Sequence, residues 1–435
     1  MTADRGELLR ACIFHTPGNP FRDEDALEIF PDGGLLIANG RIQALRDYRS
    51  LAAEHPLAET RDLRPGFILP GFVDVHTHFP QMRIIGGLGH TLLDWLERCA
   101  LPEEARMADT RYARRVAREF VAGLTRNGTT TALVFGAHFA PATAALFETA
   151  VDAGIRVVTG MVLSDQALLP TLHQTPVAAY EQSRELIRRY HGKNGHFYAV
   201  TPRFALSCSE AMLEVCRTLL DEHPGVLLQT HLNENKSEIA EVAMRFPGAQ
   251  DYLGVYEQFK LVRPGGVFAH NVHPSTSELD RLAYQSAGVA YCPCSNAALG
   301  SGFFPLHRHL RAGVRFALGT DVGAGTGLSM LKEGLQAYLL QRLDPAGYPL
   351  TPAHLLYLAT RGGAEMLGMD SEMGDLTPGK AADFVYLQAP ENGPLAAAIS
   401  RAADPVQVLA ALFTMGSSDC VKEVRVAGRV AGLAR

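Results

Sequence analysis

The chain lacks the features that mark several whole classes of protein. It has seven cysteines in 435 residues, an odd number with no C-x-x-C pair, which excludes a disulfide framework and fits a reducing compartment. No 18 apolar residues run together, and the N-terminal MTADRGELLRACIF has no basic stretch leading into a long apolar one. Neither a membrane span nor an export signal is therefore expected, and the cytoplasm is the expected location. There is no block of Lys or Arg: 40 basic residues face 46 acidic ones, for a net charge of −6, which argues against nucleic-acid and membrane partners. With 47% hydrophobic and 20% charged residues, disorder and coiled coil are excluded as well.

What is present is a β/α rhythm. Eight short, β-rich apolar runs recur at 71–78, 130–136, 156–163, 197–204, 226–232, 266–270, 289–296 and 315–321. Several are apolar on both faces, as buried parallel strands must be. Helical segments separate them, with recognisable ends: Thr175-Pro176 to Gly192, a start near Asp109 before Gly128, and the S-x-x-E boxes at Ser207 and Ser275. Eight repeats over about 290 residues predict a closed (β/α)₈ barrel. The first 65 or so residues and the last 60 read instead as short strands with hairpin turns at Asn39-Gly40 and Ala427-Gly428, expected to pair into one small β-sandwich domain. The fold class is thus α/β. Residues 68–374 are the expected barrel, with 1–67 and 375–435 as the two halves of the sandwich.

In such a barrel the chemistry sits at the C-terminal ends of the strands, and metal-compatible residues fall there. His76 and His78, two apart at the end of the first run, share one side of a strand. His231 ends the fifth run, His270 the sixth and Asp321 the eighth. Neutral imidazoles with one carboxylate form a borderline N/O donor set that suits Zn²⁺ or Fe²⁺ and leaves a position for water. A dinuclear site would need a bridging group such as a carbamylated lysine at the end of the fourth run, and VTPRF has none. One metal per chain is expected. Glu234, three residues after His231, can reach the metal's water and act as general base and acid. His270 and Asp321 each carry two readings, as metal ligand or as a partner of that water. His15, His55, His191, His223, His307, His309 and His354 fall in terminal pieces, helices or linkers and read as solvated or packing residues. The chain contains no H-x-E, so the other zinc deaminase architecture is excluded. The loop GTDVGAGTG is neither a dinucleotide fingerprint nor a Walker sequence.

PGFVDVHTH, THLNE, FAHNV, GTDVGAG and GDLTPGKAADFVYL, in that order along nearly the whole chain, resemble the amidohydrolase superfamily of metal-dependent hydrolases. Within it, HFPQ, LLDWLERCALPEEAR, NGTTTA, TPRFALSCSE and CPCSNAALGSGFF resemble the guanine deaminases. That resemblance implies mononuclear zinc on His76, His78, His231 and Asp321, His270 beside the activated water, and Glu234 as proton shuttle. It also implies a purine against Gln81, Arg203 and Phe204, with His231 facing the same substrate site, and a homodimer. The expected reaction is addition of water to C2 of guanine, with release of ammonia and formation of xanthine. Arg203 is donor-only, so it suits the O6 and N7 acceptors of guanine and would leave the amino group of adenine unpaired. The alternatives are another deaminase of the superfamily, acting on adenosine derivatives or triazines, and a non-catalytic scaffold on the same fold.

Overall fold

The structure is a computed structural model that describes residues 6–433. The two terminal segments do pair. Strands β1 (Glu7–His15), β2 (Glu28–Ala38), β3 (Arg41–Asp47) and β4 (Glu59–Pro70) precede the barrel. After the nine strands of the barrel region, β14 (Phe384–Leu387), β15 (Val421–Val426) and β16 (Arg429–Val430) return to them. All seven form one sheet in the order β16-β15-β14-β4-β1-β2-β3. Its core is Leu9, Ala11 and Ile13 packed with Leu35, Ile37, Ile68 and Phe384. Arg61 of β4 reaches Glu423 of β15 at 2.9 Å, so the two ends are tied by charge as well as by apolar burial.

Both expected hairpin turns are present. Asn39 and Gly40 have φ of 52° and 75°, and Ala427 and Gly428 have 47° and 73°, the left-handed pair that a tight hairpin needs. The turns also face each other: Ala382 donates its N–H to Gly40 O, and Gly428 donates to Ala382 O, both at 2.9 Å.

Each of the eight runs places a strand of one parallel barrel: β5 (Phe72–His78), β6 (Thr129–Phe135), β7 (Arg156–Gly160), β9 (Phe197–Pro202), β10 (Leu227–Leu232), β11 (Gly266–His270), β12 (Gly288–Tyr291) and β13 (Arg315–Leu318). The two-residue β8 (Val162–Leu163) continues the third run and pairs with β9. Alternate residues from every barrel strand fill the lumen, among them Val73, Leu133, Val158, Ala199, Leu227, Val267, Ala290 and Ala317. Ala364 and Met366, from the short helix Arg361–Met366, pack against the same cluster. The helix Thr110–Arg126 shows how the outer layer forms. Asp109 caps its start, accepting from Arg111 N at 2.8 Å. Ala113, Val116, Ala117, Phe120, Val121 and Leu124 then recur at helical spacing on its buried side.

Two local expectations are corrected. The helix after β9 is capped by Ser209, not Ser207, because a 3₁₀ turn at Ala205–Ser207 intervenes before the helix Glu210–Glu222 begins. The seventh run stops as a strand at Tyr291, because Pro293 opens the helix Pro293–Ala298. The box at Ser275 with Glu278 forms as expected.

Closure of the barrel joins β5 to the end of β13. Asp321 N donates to His76 O at 2.8 Å, and His78 N donates to Val322 O at 3.0 Å. Beneath them the buried Asp74 accepts from Thr320 N at 3.0 Å, from Thr320 Oγ1 at 2.5 Å and from His76 N at 3.2 Å. Gly319 lies so close that a Cβ there would come 2.8 Å from the His76 Cβ. Gly319→Ala is therefore expected to cost about 1–3 kcal/mol by forcing this seam apart. A fall in thermal midpoint by differential scanning calorimetry checks it; an unchanged midpoint would show that the seam yields.

Candidate functional site

The seam carries the first and last metal-type residues to one point. The Nε2 atoms of His76 and His78 are 3.3 Å apart, and each lies 3.2 Å from Asp321 Oδ1. Val73 and Val75 just below belong to the lumen cluster. The pairing of β5 with β6 shifts register between Asp74 and Thr77, and such irregularities re-aim side chains at strand ends. His231 and His270 stack with ring centroids 5.5 Å apart. One potential ligand atom from each of His76, His231, His270 and Asp321 lies within 4.8 Å of all the others. His78 adjoins this group through its contacts to His76 and Asp321. All five side chains are buried.

The backbone aims these groups. His270 and Asp321 have φ of 71° and 46°, a conformation that non-glycine residues seldom adopt outside constrained sites. His231 Nδ1 lies 2.6 Å from Arg203 O and donates to it, which leaves Nε2 with its lone pair free. His270 Nδ1 sits 3.0 Å from Asn296 Oδ1, and its Nε2 has no hydrogen-bond partner despite being buried. That Nε2 is 3.5 Å from Glu234 Oε2 and 3.7 Å from Asp321 Oδ2.

Electrostatics separate the two carboxyls. Burial, reinforced by Glu238 and Asp321, pushes Glu234 well above its usual range. Burial acts on Asp321 in the same sense, but hydrogen bonding to His76 and His78 more than offsets it and holds Asp321 well below. Burial also lowers His76, His78 (to about 3) and His231, so these imidazoles are neutral. One carboxyl with raised proton affinity beside one with lowered proton affinity is an arrangement suited to acid–base chemistry. Glu234 is held by its neighbours: its N–H donates to Glu238 Oε2 at 3.1 Å, and Glu238 also accepts from Tyr252 OH at 2.6 Å.

A small cavity opens onto this cluster, lined also by Gln81, Arg203, Phe204, Leu299 and Ala324 and by Leu92, Trp95 and Leu96. Every residue assigned to the site from sequence lines the cavity except His76, whose Nε2 lies 3.3 Å from that of His78. Reasoning from sequence missed several others. Glu104 is buried and accepts from Gln81 Nε2 at 2.7 Å and from Arg203 Nη1 at 2.7 and 3.0 Å. His138 Nδ1 stands 3.5 Å from Glu104. Asn296, Trp95, Leu92 and Leu96 were also unassigned. Nothing local distinguishes Glu104 from Glu103 beside it, and only the path of the segment 92–105 across the barrel mouth singles it out. Of the histidines read as packing residues, His309 bears this out, buried against Asn271 Nδ2 at 3.0 Å.

Residues 67–431 match the sequence profile of the amidohydrolase family, and the chain belongs to that family. It is 53% identical to a "Probable guanine deaminase" of Deinococcus radiodurans over 430 residues, covering 98% of both chains. It is 39% identical to the guanine deaminase of Escherichia coli K12, covering 99% of this chain and 97% of that one. A solved structure of E. coli guanine deaminase superposes with a TM-score of 0.94 at 38% identity, covering 99% of this chain and all of that one.

Trp95 is the only tryptophan in the chain and is 3% exposed in the cavity lining. A flat heteroaromatic base entering the cavity is expected to quench its emission saturably, measured by fluorescence titration. A linear, non-saturating loss would mean that no ligand sits beneath Trp95.

Proposed function

We propose that this protein is a guanine deaminase, hydrolysing guanine to xanthine and ammonia. The single observation that carries the reading is the junction of two parts: a buried cluster of neutral imidazoles with an ionised aspartate, and a cavity with Phe204, Trp95 and one guanidinium, Arg203, in its lining. Near-full-length similarity to guanine deaminases supports it. We assign His76, His78, His231 and Asp321 to one Zn²⁺ per chain, with Fe²⁺ as the chemical alternative. The donor set fits such an ion: burial keeps the imidazoles neutral, one ligand atom from each of His76, His231, His270 and Asp321 lies within 4.8 Å of the others, and His78 Nε2 is 3.3 Å from His76 Nε2 and 3.2 Å from Asp321 Oδ1. When bound, the cation lowers the pKa of a water and stabilises charge developing on the adduct.

The chain's own residues do the rest. Phe204 packs against the face of the base, and Arg203 donates to O6 and N7. Adenine would turn an amino group toward the same guanidinium and leave donors unpaired, a loss of about 1–3 kcal/mol. Gln81 borders the pocket with one amide hydrogen committed to Glu104 and its oxygen accepting from Gly323 N at 3.0 Å. As the C–O bond forms at C2, Glu234 takes the water's proton and passes it to the ring nitrogen. The proton left on the new C2 hydroxyl then goes to the exocyclic amine, the C–N bond breaks as the C2 carbonyl forms, and ammonia leaves. His270 borders the attacking oxygen, its tautomer set by Asn296.

We further propose that 68–374 is the catalytic unit, with 1–67 and 375–435 as one supporting domain; the single sheet shared by both termini supports this. A role in purine breakdown, a cytoplasmic location and a homodimer complete the reading. The dimer rests on family resemblance and is checked by light scattering. No helix among the described residues is long and apolar enough to cross a membrane.

Purified protein is expected to contain about one equivalent of divalent metal and to release ammonia from guanine but not from adenine or cytosine. Chelation should abolish the release, and added Zn²⁺ should restore it. Stoichiometric metal without guanine turnover would sink the proposal. Glu234→Gln should keep its metal, measured by atomic emission, yet lose turnover by about two to four orders of magnitude. Near-normal turnover would assign the proton to another group.

A further inference from the structure

Arg203 does not stand alone in the cavity wall. Its Nη1 faces both oxygens of Glu104, at 2.7 and 3.0 Å, and both side chains are buried. The same carboxylate accepts from Gln81 Nε2 at 2.7 Å, while Gln81 Oε1 accepts from Gly323 N at 3.0 Å. An acceptor-only group on one side and a donor-only group on the other leave the Gln81 amide a single orientation. The third neighbour of Glu104, His138, is held neutral by burial and has neither ring nitrogen hydrogen-bonded. It adds no charge. Glu104 is therefore the counter-charge that makes this wall of the cavity electrically neutral.

We propose that Glu104 is a positioning residue that sets the ligand charge the pocket accepts, favouring a neutral purine over an anionic one. The idea rests on the guanine deaminase reading. Guanine is neutral near physiological pH, whereas xanthine, with two ring carbonyls, loses a proton much more readily. An unpaired guanidinium in a low-dielectric cavity attracts an anion strongly. Pairing it with Glu104 keeps its outward hydrogen-bond donors for the base and cancels that pull, so the product leaves rather than lingering as an anion.

The test is steady-state kinetics of the metal-loaded enzyme at a mildly alkaline pH where xanthine is largely the monoanion and guanine is not. Glu104→Gln preserves shape and removes the charge; Glu104→Asp keeps the charge. In Glu104→Gln the KM for guanine is expected to rise about tenfold while the inhibition constant for xanthine falls about tenfold, opposite movements that general loosening of the site cannot produce. Glu104→Asp should restore the wild-type order of preference. Weakening of both ligands together, or no change in either, overturns the proposal. Absence of guanine turnover in the wild-type protein would instead count against the functional reading. The charge argument is then read from binding alone, as quenching of Trp95 by xanthine in wild type and Glu104→Gln. Tighter xanthine binding by the variant supports it; equal, weaker or absent binding overturns it.

Discussion

The structure depends on the hydrogen-bonded seam that closes the barrel. Asp321 N to His76 O and His78 N to Val322 O join the first barrel strand to the loop after the last. Asp74 sits beneath them as a common acceptor for Thr320, 246 positions away along the chain, and for His76. Because Asp321 and both histidines lie on that seam, the act of closing the barrel also brings together three of the five clustered metal-type residues. Burial raises the Asp74 carboxyl to about 6, and three donors converge on it. A site built on strand ends inherits the rigidity of the sheet, which is what fixed ligand geometry requires.

Burial then turns geometry into chemistry. The same removal from water that keeps the three imidazoles neutral raises Glu234, and only Asp321, 3.2 Å from two histidine nitrogens, escapes the trend. Two carboxyls in one cavity thus carry opposite tendencies toward a proton. The other wall of the cavity follows a different rule. There a full charge, Arg203, is buried, and a buried charge is tolerated when paired and hydrogen-bonded; Glu104 supplies the pair. One side of the cavity is organised around proton transfer and the other around fixed charge. Leu92, Trp95 and Leu96 line the same cavity and give it an apolar side.

Much of this was legible from residue patterns. Eight apolar runs predicted eight strands because parallel strands are apolar on both faces, and His76, His78, His231, His270 and Asp321 could be placed because strand ends in a barrel point to one mouth. The terminal strands could be paired because turn chemistry at Asn39-Gly40 and Ala427-Gly428 is local. The errors were also local. Pro293 ended a strand that apolarity alone would have extended, and the 3₁₀ turn at Ala205–Ser207 displaced the cap of the next helix by two positions. Glu104 was not legible at all: it meets a partner 99 positions away, and its immediate neighbour has the same side chain.

The sequence by itself determined the fold class, the strand order implied by it, and which metal-compatible residues fall at the barrel mouth, because these follow from periodicity and from residue type at strand ends. Only the tertiary structure decided which nitrogen of each histidine faces the site, that Asn296 and the Arg203 carbonyl set those choices, and that Glu104 balances Arg203. Those features depend on distances between groups far apart in the chain, and on removal from water that no single segment can bring about alone.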